Sequence, residues 1–139
     1  MQINNQVSTF LNKQNTAVIA TVNVDGKPNA SVIYYRFDDK GSVYFITKTS
    51  TQKYRNILTN TNVALCIYDE KARATTELVG RAFEVTEEAE QIEVLDKMAK
   101  IRRDDDDVWL PPVADLKSGK LVVMKVEISN VTFNDYKNR

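Results

Sequence analysis

The sequence has no histidine, one cysteine, three prolines and four glycines among its 139 residues, and each scarcity removes a class of chemistry. Without histidine there is no Ser-His-Asp or Cys-His nucleophile arrangement, no histidine metal site and no histidine axial ligand for haem. Acid and base roles fall to other groups. Cys66, being alone, cannot form an intramolecular disulfide. The glycines at 26, 41, 80 and 119 stand too far apart for a G-x-G-x-x-G or G-x-x-x-x-G-K-[ST] phosphate loop, which excludes a Rossmann or P-loop nucleotide site. Nineteen basic and nineteen acidic residues cancel, so binding to nucleic acid or an anionic membrane through bulk electrostatics is not expected. No apolar run approaches the roughly 18 to 20 residues of a membrane-spanning helix. The opening MQINNQVSTF lacks the charged and apolar regions of a secretory signal, and a cytoplasmic location is expected.

What is present suits one globular domain over residues 1–139, with 42% apolar and 27% charged residues. Ile3, Val7, Phe10 and Leu11 form an apolar stripe at helical spacing. Strands are expected at 17–24 and 29–36, joined by the hairpin signal Asp25-Gly26, and at 42–48 after the turn Asp38 to Gly41. The segment STQKYRNILTN changes to helical spacing, with Ser50 or Thr51 as its N-cap. Residues 63–68 read as a buried strand, and 75–86 as a longer one in which Gly80 marks a bulge or a close backbone approach. Glu87 and Glu88 open a helix with Ile92, Leu95 and Ala99 as its inner face, and 122–129 alternates as a half-buried strand. Six strands joined mostly by short turns suggest a small antiparallel barrel rather than a parallel sheet.

Several residues are expected to be structural. Cys66, inside VALCIY, reads as a buried core thiol. Tyr34 and Tyr35 straddle the two faces of a strand, and Asp104 to Asp107 reads as a solvated charge run.

Chemistry concentrates between Ser31 and Lys53. Arg36 falls near the end of one strand, Thr47 and Lys48 at the end of the next, and Thr51, Gln52 and Lys53 at the start of a helix. A helix N-terminus presents free N–H groups and a favourable dipole to an anion. With the Thr51 hydroxyl and the cations of Lys53 and Arg36, such a site suits one phosphate monoester. The competing reading makes Lys53 and Arg36 surface charges and Thr51 merely a cap.

The succession SVIYYR, GSVYFITKTSTQKYRNILTNTNVALCIYD and ELVGRAFEVTEE resembles the pyridoxamine 5'-phosphate oxidase-like family of FMN-binding split barrels, which includes general stress protein 26-like proteins, over roughly residues 5 to 100. The resemblance implies a mainly β, six-stranded antiparallel split barrel with flanking helices. It also implies a homodimer holding FMN in grooves at the subunit interface. Carried across by position, the family's cofactor contacts fall on Ser31 and Arg36, on Ile46 and Thr47, on Thr51, Gln52 and Lys53, and on Thr75, with Lys48 beside them. Ser31 and Gln52 stand where the family has cations, and Thr75 where it has glutamine. The Arg-x-His substrate motif of true pyridoxamine 5'-phosphate oxidases has no counterpart, so that specific activity is not expected.

The resemblance therefore implies an FMN-dependent oxidoreductase acting on an unidentified small molecule, with no catalytic residue identified. Two alternatives stay open: a flavin-binding or sensing protein without turnover, and a split barrel using F420 or haem. Trp109 is a candidate cover for the partner subunit's cofactor, with dimer packing as its rival role.

Overall fold

Side chains alternate between buried and exposed along most strands, and that alternation gives the sheet one face turned into a closed core. The computed structural model describes residues 3–38, 40–103 and 120–138. In chain order these form α1 (Asn5–Lys13), β1 (Thr16–Val22), β2 (Pro28–Tyr34), β3 (Arg36–Asp38), β4 (Ser42–Lys48), α2 (Gln52–Thr59), β5 (Asn62–Asp69), β6 (Ala74–Glu84), α3 (Glu88–Arg103), β7 (Leu121–Asp135) and a short 3-10 turn, Tyr136–Asn138. The strands make one seven-stranded antiparallel sheet in the order β2-β1-β5-β6-β7-β4-β3.

That order dictates a barrel. β2 and β3 occupy opposite edges of the sheet, yet only Tyr35 separates them in the chain. In a flat sheet those edges would stand roughly 29 Å apart, whereas the two Cα steps from Tyr34 to Arg36 span at most about 7 Å. The sheet therefore curls until its edges meet, as the split-barrel expectation requires. The count is seven strands rather than six, because the strand expected at 29–36 breaks at Tyr35. The Tyr35 N–H donates to the Asn15 carbonyl and its hydroxyl to the Leu11 carbonyl, which draws this residue out of the ladder toward α1.

Leu11, Ile19, Phe45, Leu65, Leu78 and Val126 are each 0% exposed and fill the barrel. The bulge expected at Gly80 is present: the β6–β7 register shifts between Val79 and Gly80, and a Cβ at Gly80 would run into the Glu127 carbonyl oxygen. A smaller cluster of Tyr44, Val85, Val94 and Val123 lies beneath α3.

Two sequence expectations are corrected. The inner face of α3 carries Val94 and Met98, while Ile92 and Leu95 are 59% and 42% exposed. Polar fastenings set the roll of the helix, because Tyr44 donates to Glu90 at 2.7 Å and Gln91 Nε2 donates to the Val85 carbonyl at 2.8 Å. Cys66 is exposed, since its neighbours Leu65 and Ile67 take the inward positions of β5. The Ala99 side chain, Asp104 to Asp107 and Trp109 lie outside the described residues. Among the described residues no helix is long and apolar enough to cross a membrane.

Candidate functional site

The barrel is split where β2 and β4 part. β3 pairs only with Ser42–Tyr44, whereas β7 pairs with all of β4 on its other side. Beyond Tyr44, one edge of β4 therefore has no strand partner among the described residues, and its backbone donors and acceptors on that side, around Ile46 and Thr47, stay available. α2 packs at this end of the split, with Ile57 inserted into the core.

The first turn of α2 is tied to β4 by hydroxyls. The Thr51 hydroxyl donates to the Lys48 carbonyl at 2.9 Å and accepts from the Tyr54 N–H at 3.3 Å. Its proton is thereby committed, so the 2.8 Å contact with Thr47 has the Thr47 hydroxyl as donor. Thr51 is thus a cap with its hydroxyl fully engaged. The Tyr54 N–H is satisfied by this cap and the Arg55 N–H by the Thr51 carbonyl. The amides of Gln52 and Lys53 have no acceptor among the described residues and are the free donors of this helix end.

The charge around these donors is positive. No acidic residue occupies the first turn of α2. Lys53 is half-buried, and desolvation lowers its pKa from the ordinary lysine value. Arg55 folds back over the turn, with Nη1 donating to the Ser50 carbonyl at 2.6 Å and Nη2 to Gln52 Oε1 at 2.9 Å. Lys48 is 4% exposed and makes no ion pair among the described residues. Backbone N–H groups, the helix dipole and these cations together suit a phosphate.

The remaining residues expected at the site are placed unequally. Ser31 is half-buried on the inward face of β2, opposite Ile19 and in the row of Asn29. Ile46 packs on the other face of β4, against the cluster beneath α3. Arg36 does not join Lys53: it stands opposite Tyr44 beside α3. There, after the dominant hydrogen bond from Lys97, the charge of Arg36 contributes to holding the Glu93 carboxyl below its ordinary value. Thr75 faces outward, 3.4 Å from the Tyr136 hydroxyl. It lies roughly 30 Å of strand along β6 from Glu84, which accepts from Tyr54 of α2. Within one chain Thr75 is therefore remote from the α2 turn.

Two residues were missed from the sequence. Arg55 is one; the other is Asn56, which is 2% exposed and donates at 2.9 Å to both Thr21 and Asn29. The signal was the i, i+3, i+4 spacing of Gln52, Arg55 and Asn56, which brings all three together on one helix face. Among the described residues, no group of three or more Cys, Asp or Glu could hold a metal ion.

Comparison with known proteins agrees with this architecture. The family model for pyridoxamine 5'-phosphate oxidase matches residues 3–135. A pyridoxine/pyridoxamine 5'-phosphate oxidase of Rhizobium leguminosarum bv. trifolii is 35% identical over 77 residues, 55% of this chain and 37% of that protein. The match thus spans well under half the length of that relative. The crystal structure of general stress protein 26 from Bacillus anthracis superposes with a TM-score of 0.69 at 20% identity, covering 92% of this chain and 90% of the other. An F420 reductase superposes with a TM-score of 0.71 at 21% identity, covering 94% and 98%.

Proposed function

Because the chain belongs to the pyridoxamine 5'-phosphate oxidase family, we propose that it binds FMN at the barrel split, with the phosphate on the first turn of α2, and works as an oxidoreductase on a small molecule. The observation that carries this reading is the α2 turn itself. It holds amides at Gln52 and Lys53 with no acceptor among the described residues, a desolvated ammonium at Lys53 and no acidic residue of its own.

Each part of the chain has a distinct task. The Gln52 and Lys53 amides and the Lys53 ammonium hold the phosphate, and Thr51 keeps the turn closed by spending its hydroxyl on β4. The unpaired edge of β4 at Ile46 and Thr47 meets the flavin edge through backbone groups, which fix orientation without a titratable side chain. When bound, FMN supplies the hydride or electron transfer, and the protein's part is to orient it and exclude water.

We also propose a homodimer formed through the outer face of β1, β2 and β5. Val18 lies between its cross-strand partners Val32 and Cys66 there, and Val18 and Val32 are 42% and 39% exposed in the single chain.

The likeness to an F420 reductase favours a second reading in which a deazaflavin takes the same phosphate site. Incubating the purified protein with FMN or with F420, desalting, and identifying the ligand released on denaturation separates the two. FMN retained at about one per chain supports the first reading, selective retention of F420 replaces it with the second, and retention of neither removes both.

A further inference from the structure

α2 is held to the barrel by a buried polar chain that the hydroxyl cap at Thr51 does not require. Asn56, at 2% exposure, donates through Nδ2 to Thr21 Oγ1 on β1 and to Asn29 Oδ1 on β2, both at 2.9 Å. Its own Oδ1 accepts from Gln52 Nε2 at 2.7 Å, and Gln52 Oε1 accepts from Arg55 Nη2 at 2.9 Å. The chain thus runs from two strands, through a buried amide, to a guanidinium at the start of α2.

The end of this chain is electrostatically unfavourable on its own. A cation beside the N-terminus of a helix opposes the helix dipole. Arg55 is nevertheless fastened there by Gln52 and the Ser50 carbonyl, in a turn with no acidic residue. An exposed arginine left to itself would extend into water. Holding it in place costs side-chain freedom as well as dipole repulsion, and an anion on the turn offsets both. Gln52 has both ends of its side-chain amide engaged in this chain, so that side chain acts as a strut and only its backbone N–H is left for the anion.

Resting on the proposed phosphate site, we propose that Asn56 is its positioning residue: through Gln52 it fixes the first turn of α2 and holds Arg55 there as the second cation beside Lys53. The role of the Gln52 side chain is then mechanical, and the positive charge that position 52 does not carry is supplied from position 55. Asn56 touches no ligand and acts only through the residues it holds.

The test uses two probes that share a ring and differ by a phosphate. Affinities of FMN and riboflavin are measured by quenching of flavin fluorescence for the wild type, Arg55→Ala, Gln52→Ala, Asn29→Ala and Asn56→Ala. Circular dichroism and thermal melts report folding. The wild type is expected to prefer FMN by at least about a hundredfold. Arg55→Ala, Gln52→Ala and Asn56→Ala are each expected to cut that preference roughly tenfold while leaving riboflavin binding unchanged. A role limited to stability would lower the melting temperature without moving the ratio. Gln52→Ala and Asn29→Ala, at exposed positions and expected to lower the ratio in the same direction, carry the test if Asn56→Ala does not fold. If the wild type binds both probes equally, the phosphate site itself falls and takes this inference with it. If the wild type prefers FMN and the folded variants keep the full preference, only the positioning role is overturned.

Discussion

The hydroxyl of Tyr35 donates to the carbonyl of Leu11 at 2.7 Å, joining the only residue between the two edge strands of the sheet to the last turn of α1. The Leu11 carbonyl is among those a helix end leaves without an intrahelical donor. Tyr35 is 1% exposed and Leu11 0%. Tyr35→Phe keeps the ring and orphans that buried carbonyl, so unfolding in denaturant should show a loss of about 1 to 3 kcal/mol. An unchanged midpoint would mean that the ring alone closes the barrel.

Gly80 sets the other constraint on the barrel. Its missing side chain lets β6 approach the Glu127 carbonyl of β7 at the register shift. Backbone atoms cannot swing aside as a flexible side chain can, so Gly80→Ala should cost at least about 2 kcal/mol and lower the melting temperature. A melt equal to the wild type would show that the bulge relaxes without penalty.

The legible parts of this fold were those that local chemistry decides. Asp25-Gly26 marked the β1–β2 hairpin, where Gly26 takes φ 81°, and Ser50 or Thr51 marked the cap of α2, which falls at Thr51. Gly80 marked the bulge. What stayed hidden was decided between distant elements. Tyr35 breaks a strand because Leu11 of α1 and Asn15 just beyond it supply its partners, and α3 rolls to bury Val94 because Tyr44 and Val85 hold its polar residues. The site divides in the same way. The α2 turn with Thr51 and Lys53 could be read in sequence, but the direction of Arg36 toward α3 and the partners of Asn56 depend on strand pairing and on contacts between separate elements.

Thr76 is 0% exposed, and its hydroxyl has no hydrogen-bond partner among the described residues. Burying an unpartnered hydroxyl is unfavourable, and valine has nearly the same shape. Thr76→Val should therefore raise stability by up to about 1 kcal/mol in chemical denaturation. A clear loss instead would mean that the hydroxyl bonds a buried water.

The lowered pKa of Lys53 fixes the sign of two pH effects. The folded value lies below the unfolded one, so protonation of Lys53 opposes folding, and its contribution makes stability rise with pH from the folded pKa toward 10.5. FMN binding has the opposite dependence because it uses the ammonium, and affinity should fall across the same alkaline window. In Lys53→Gln that fall should be absent from FMN titrations over this range, and identical profiles for the two proteins would remove Lys53 from the site.

The most direct measurement of the central claim is a crystal structure of the protein grown with FMN. Phosphate density within hydrogen-bond reach of the Gln52 and Lys53 amides, with the Arg55 guanidinium beside it, is the expected result. FMN bound with its phosphate away from the first turn of α2 would contradict the account.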